Sequence, residues 1–247
     1  VGDRHLKFHE DRDNLRPRVM TSREEAQSFD RLAAQYDRLG ELSNDAVGDW
    51  LPSVIPAGPQ LGRALDLGCG AGRHAVRLAD RFEKVDAVDL SAAMIRLARR
   101  KRPRSNICYL EAGILDVEGS YDFIVSSATL HHVPDLPVAL SHIKSLVAPG
   151  GQAVLVDTVS PRPANPRWWL YGGQLRKLAH NLVLRGRAEA WEIFKLSTGE
   201  WLDHRVSDRY LSRQQFEEIY AAAFPGAGFT RVGNAHAMLW ARERCSG

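Results

Sequence analysis

At 247 residues, 44% apolar and 26% charged, the chain is long enough for one large domain with a full core and too short for two. No apolar run approaches the roughly 18–20 residues that span a bilayer, and Val1–Glu10 carries charge in place of a signal-peptide core, so a cytoplasmic protein is expected. A net charge of +3 is too small to point to a dedicated nucleic-acid binder, and Cys69, Cys108 and Cys245 form no CxxC pair and no Cys/His metal spacing, which favours reduced thiols.

Residues 1–20 are highly charged, lack periodicity and are expected to form a surface arm. From Ser22 to Leu39, Phe29, Leu32, Ala33 and Tyr36 fall on one helical face. A second helix is expected over Asp45–Val54, ahead of the break at Pro56, Gly58 and Pro59. A strand–helix alternation then begins. Strands are expected at Arg63–Leu67, Lys84–Val88, Asn106–Leu110, Tyr121–Ser126 and Gln152–Asp157. Helices are expected at Gly72–Arg81, Ser91–Lys101 and Leu136–Val147, the last stopped by Pro149, Gly150 and Gly151. Such alternation implies right-handed βαβ units and a mainly parallel sheet covered on both faces. Residues 158–208 break the rhythm with Pro161, Pro163 and Pro166, followed by Trp168, Trp169, Tyr171, Trp191 and Trp201. A last helix, Ser212–Phe224 with Ser212 as its N-cap, precedes strands at Phe229–Gly233 and Met238–Arg242, close enough to pair as a hairpin.

The most informative stretch is Ala64–Arg73, an apolar strand ending in Asp66 and followed by Gly68, Gly70 and Gly72 before a helix. Glycine permits positive φ and lets a ligand approach the backbone, and the helix start aims unpaired N–H groups into the same crevice. A dinucleotide fingerprint, G-x-G-x-x-G counted from Gly68, would place its third glycine at position 73, which is Arg73. An acid at Asp66 also suits a cofactor with an α-amino group better than a pyrophosphate. Asp89, at the tip of the second strand, can accept hydrogen bonds from two ribose hydroxyls, and Leu90 and Met94 are suited to flank an adenine ring. The alternative for Asp89 is a helix N-terminal acid before Ser91.

These residues resemble the class I S-adenosylmethionine-dependent methyltransferases, most closely the quinone-biosynthesis and natural-product subgroup. Leu65–Gly72 is similar to the family's first motif, Val88–Ser91 to its ribose motif, and Leu146–Gly151 to its L-x-P-G-G turn. Tyr121–Ser126 and Leu130–Val133 resemble the fourth strand and the loop after it. Phe29, Asp30, Tyr36 and Asp37 resemble the N-terminal helix that closes over the cofactor. The resemblance implies a doubly wound, seven-stranded, mostly parallel Rossmann-like α/β sheet, order 3-2-1-4-5-7-6 with strand 7 antiparallel, and a helical cap. It divides the chain into an arm with lid helices (1–60), a core (61–157 and 209–247) and an aromatic-rich cap (158–208). It implies S-adenosylmethionine as cofactor, with Tyr36, Ile114 and Ser127 joining Asp66, Gly68, Gly70, Gly72, Asp89, Leu90 and Met94 around it. The family's acid for the adenine amino group falls at Gly113, leaving Asp116 as a substitute.

The cofactor's methyl carbon is electrophilic, so proximity and in-line orientation supply much of the acceleration, and a base serves only a protonated nucleophile. His131 and His132 follow the fourth strand, where the acceptor belongs, and are the candidate catalytic residues; either is alternatively a cap or a packing residue. His204 and His236 are weaker candidates. Ser126, Ser127 and Ala128 replace the [DN]PP[YF] tetrad of many nucleic-acid N-methyltransferases, and no metal is expected. The expected partner is therefore a small aromatic or apolar acceptor, walled by the cap's aromatic residues. The alternatives are an RNA or protein acceptor, motivated by the basic arm, and a non-catalytic cofactor-binding subunit. A packed satellite or a dimer contact is the other reading of the insertion, and homo-oligomerisation stays open.

Overall fold

A computed structural model describes residues 22–58, 61–162 and 165–244, with side chains from Phe29 onward except Ser207. The expectations for the arm (1–20), Pro59, Pro163 and Cys245 lie outside the described residues.

Strands β1 (Leu61–Leu67), β2 (Phe82–Asp89), β3 (Ile107–Glu111), β4 (Tyr121–Ser127) and β5 (Val147–Thr158) run parallel. A hairpin of β6 (Gly228–Val232) and β7 (Ala235–Ala241) completes the sheet, β7 lying antiparallel to β5. The order is β3-β2-β1-β4-β5-β7-β6, the order that the resemblance implies. Successive strand residues serve two cores. Ala64, Phe123, Val125, Val154 and Val156 pack with Ala75 and Leu78 of α3 (Arg73–Ala79). Leu65, Leu67, Ile124 and Leu155 pack with Leu140 and Ile143 of α5 (Leu136–Leu146) and with Phe216 and Tyr220 of α9 (Arg213–Ala223). Burial on both faces is why these strands read as continuous apolar runs in the sequence. Ser212 N-caps α9 in a reciprocal box with Gln215, as its position suggested.

Two expected elements end differently. The helix expected over Asp45–Val54 is α2 (Ala46–Trp50) and then a tight turn at Leu51–Ser53, because Pro52 has no N–H to continue the α-helical ladder. The Pro149–Gly151 stretch does not stop α5 ahead of a strand at Gln152. α5 ends at Leu146, Val147 is already extended and pairs with Tyr121, and the glycines form an irregularity inside β5. Gly150 sits there at φ 82°.

Gly72 N-caps α3 at φ 82°, and a Cβ at this position would lie 2.6 Å from the Tyr109 hydroxyl. Its role is close helix–strand packing. Gly72→Ala is expected to lower stability by about 2–3 kcal/mol, combining left-handed strain with overpacking, and thermal unfolding measures this.

α1 (Ser22–Leu42) crosses α4 (Ala92–Lys101), where Ala33, Ala71, Met94 and Leu97 form a small third core. The buried Asp37 of α1 pairs with Lys101 at 2.6 Å and Arg102 at 2.9 Å. Between β5 and α9 lie α6 (Arg167–Leu184), α7 (Arg187–Ser197) and α8 (Glu200–Ser207). α7 and α8 pack on α1, and α6 packs on α7 and α8; Arg38 of α1 pairs with Glu192 at 2.7 Å, and Gln35 donates to the Leu196 carbonyl at 2.7 Å. Among the described residues no helix is long and apolar enough to cross a membrane.

Candidate active site

A cavity of about 410 Å³ opens at the carboxyl ends of β1, β2 and β4, beside the point where the strand order reverses. Gly68, Gly70, Asp89, Leu90, Met94, Ile114, Ser127, Tyr36 and His132 all border it. Asp66, Gly72 and His131 do not.

Each glycine of the loop does different work. A Cβ on Gly68 would strike the Thr129 side chain, so Gly68 lets the β4 loop pack close. A Cβ on Gly70, at φ 52°, would meet only the Tyr36 ring at 3.8 Å, so bare backbone faces the cavity there. Asp89 fixes this loop: Oδ2 accepts from Gly70 N at 2.8 Å and Oδ1 from Ser91 N at 2.9 Å. A carboxylate has about four acceptor sites, so capacity remains for two further donors. Burial raises the Asp89 carboxyl above the usual range, against the pull of those two N–H groups.

Ser91 accepts from Met94 N while its hydroxyl donates to Asp30 Oδ1 at 2.6 Å, which also accepts from Ala93 N at 2.9 Å. Asp30 thus fastens α1 to the start of α4. Leu90, Met94, Ala112, Ile114 and Leu115 form an apolar slot. At its rim Asp116 accepts from Gly113 N at 3.0 Å. Asp66 lies behind the glycine loop, 1% exposed, with Oδ2 lacking a hydrogen-bond donor. Burial, then the charge of Asp89, raises its carboxyl to about 7.

At the other end, β4 passes into Ala128, at φ 54° the one non-glycine residue with positive φ among the described residues, and then into a tight turn at Leu130–His132. His132 faces the cavity, whereas His131 borders a second cavity of about 180 Å³ with Asp157 and Tyr220. His131 Nδ1 lies 2.6 Å from Asp157 Oδ1, and its backbone N donates to Asp157 Oδ2 at 2.9 Å. The two imidazole rings stand 3.9 Å apart.

α1 and α8 roof this end. Phe29 meets His132 edge-on at 5.4 Å and His204 at 4.6 Å. Trp201 stacks on His204 at 5.2 Å and reaches Tyr36 at 5.1 Å. Burial lowers His204 to about 4, leaving it neutral at pH 7. His236 is elsewhere, 2.8 Å from Glu217 of α9.

The aromatic wall expected from the insertion is a correction. Trp168, Trp169, Tyr171 and Trp191 are exposed, because α6 turns Leu170 and Gln174 inward instead and α7 turns Ala190 and Ile193 inward. Trp201, on α8, is in ring contact with Tyr36 and His204 at the cavity.

Ligand atoms of His131, His132 and Asp208 lie within 4.8 Å of one another, a group that no sequence spacing suggested because Asp208 arrives from beyond α8. Asp157 and Thr129 are likewise outside the sequence-based site, whereas Phe29 belongs to the helix that resembles one closing over the cofactor. A signal exists only for Phe29, also through its place on the apolar face of α1.

Comparison with known proteins identifies the family. A methyltransferase domain family model matches residues 29–230. An uncharacterized methyltransferase of Mycobacterium tuberculosis is 40% identical over 123 residues, covering 49% of this chain and 61% of the relative. A 2-phytyl-1,4-naphtoquinone methyltransferase of Nostoc is 32% identical over 146 residues, covering 54% of this chain and 64% of the relative. The chain thus spans less than two thirds of the length of these relatives. Among solved structures, DhpI in complex with SAH aligns with a TM-score of 0.61 at 21% identity, over 91% of this chain and 100% of that one. An S-adenosylmethionine dependent methyltransferase from Mesorhizobium loti aligns at 0.56 and 19% identity, over 81% and 100%. The chain belongs to the methyltransferase domain family, and its fold is that of the class I S-adenosylmethionine-dependent methyltransferases.

Proposed function

We propose that this chain transfers a methyl group from S-adenosylmethionine to a small-molecule acceptor by in-line displacement. One observation carries the reading: a single cavity holds an apolar slot, a buried carboxylate and open glycine backbone at one end, and an imidazole under an aromatic roof at the other. The slot between Leu90, Met94 and Ile114 suits adenine, and Asp89 suits a ribose diol. The Gly68–Gly70 backbone suits the amino-acid portion, with Tyr36 and Ser127 beside it. The orphaned Oδ2 of Asp66 lacks a positive partner that an α-ammonium would supply, directly or through a water. The bound cofactor supplies an electrophilic methyl carbon.

The acceptor belongs beside His132, beneath Phe29, Trp201 and His204. This roof, closed by α1 and α8, favours a compact acceptor over a polymer. His132 accepts the proton of the attacking group, and His131, oriented by Asp157, holds the neighbouring ring in place.

The test is calorimetry with S-adenosylmethionine followed by turnover on a small panel of hydroxylated aromatic acceptors, read as S-adenosylhomocysteine formed. Absence of cofactor binding at millimolar concentration overturns the reading. His132→Ala is expected to lower kcat by about 10²- to 10⁴-fold with cofactor affinity unchanged. Activity is expected to persist in excess chelator; its loss would move the His131–His132–Asp208 group from proton handling to metal binding.

A further inference from the structure

The outer face of the cap combines exposed apolar side chains with a one-signed charge. On α6, Leu170 and Gln174 are buried against the molecule. The opposite side exposes Trp168 (70%), Leu175 (47%) and Leu182 (42%), which recur every seven residues, with Gly172 and Ala179 between them. Val183 (83%) extends the stripe. Isolated exposed apolar residues are ordinary, but a continuous stripe of large ones marks a contact surface.

The charge around the stripe says what it contacts. From Thr158 to Ala188 the sequence holds Arg162, Arg167, Arg176, Lys177, Arg185 and Arg187 and no Asp or Glu. Arg167 and Arg185 are paired with Asp203 and Glu189, and the Arg162 guanidinium lies 4.7 Å over the Trp169 ring. A second copy of the chain would meet this face with the same basic residues, since a two-fold interface is self-complementary. Like charges would then oppose its closure. An anionic, apolar-backed partner answers both the stripe and its flanks. Tryptophan, leucine and valine on one side of a helix with arginine beside them are the composition of a helix lying in a lipid interface.

We propose that the α6 face docks the chain peripherally on an anionic lipid bilayer, with the Trp168–Val183 stripe at the boundary of headgroups and acyl chains. The proposal does not depend on the reaction. α6 packs on α8, which carries Trp201 and His204, so docking would bring the roofed end of the cavity near the lipid surface.

The test uses the full chain with vesicles of phosphatidylcholine alone and with about 30% phosphatidylglycerol, separated by flotation. The bound fraction is expected to rise about tenfold with the anionic lipid and to fall in high salt. The double variant Trp168→Glu/Val183→Glu is expected to lose vesicle binding while keeping the wild-type affinity for S-adenosylmethionine, which reports an intact fold. Arg162→Glu/Arg176→Glu, which leaves the stripe intact, is expected to lose the anionic preference. Equal binding to both vesicle types, no binding to either, or unchanged binding by both variants overturns the proposal. A homodimer that Trp168→Glu/Val183→Glu dissociates, in the absence of vesicle binding, overturns it and assigns the face to a second copy.

Discussion

Replacing Asp89 by alanine is expected to weaken S-adenosylmethionine binding about tenfold to a hundredfold, as titration calorimetry would measure. Two losses combine. The hydrogen bonds proposed to the ribose diol are worth about 1–3 kcal/mol when their partner is removed. The Gly70 N–H also loses its acceptor at 2.8 Å, and with it the anchor that holds the loop at φ 52°. Asn is a poor rescue. Both carboxylate oxygens face backbone N–H donors, so an amide must turn its NH₂ toward one of them. Wild-type affinity in Asp89→Ala would remove the diol from this carboxylate and, with it, the orientation of the cofactor argued above.

The second large effect is on stability and depends on pH. The Asp66 carboxyl titrates near 3.8 when exposed and near 7 in the fold, raised by burial and then by Asp89. The folded state therefore holds a proton that the unfolded chain has already released between about pH 4 and 7. Stability is fully present below the lower value, falls as pH rises through this window, and levels off above about 7. At about 1.4 kcal/mol per unit, the full effect is on the order of 4 kcal/mol. Asp66→Asn cannot ionise. It is expected to match the wild type near pH 4, lack this fall, and exceed the ligand-free wild type by a few kcal/mol at pH 8. Urea unfolding at pH 5 and pH 8 checks it. Parallel wild-type and Asp66→Asn profiles would refute the shift.

The glycine-loop end of the cavity is legible in the sequence because its parts are local. Gly68, Gly70 and Asp89 follow directly on strands whose apolar runs are unmistakable, and strand ends gather at one edge of a parallel sheet. Even there, Gly72 belongs to helix packing against Tyr109, and spacing alone could not tell the two uses of a glycine apart. The histidine end of the cavity is less legible for physical reasons. His131 and His132 are adjacent in sequence, and only the tight turn after Ala128 decides which ring enters the cavity. Asp157 and Asp208 come from different parts of the chain, and neither carries a local pattern. The cap's aromatic residues were misread because α6 is apolar on two sides: an inner one around Leu170 and an outer one around Trp168. Composition records both sides and distinguishes neither. The sheet order, by contrast, follows from alternation and the closing hairpin.

Ser91 stands at a junction. Its hydroxyl holds the Asp30 clasp on α1, and its amide holds the Asp89 carboxylate at the cavity. The roof helix is also latched to the cap through Arg38 and Glu192. Whatever tugs on the Asp89 carboxylate therefore tugs on the same residue that fastens α1 over the cavity.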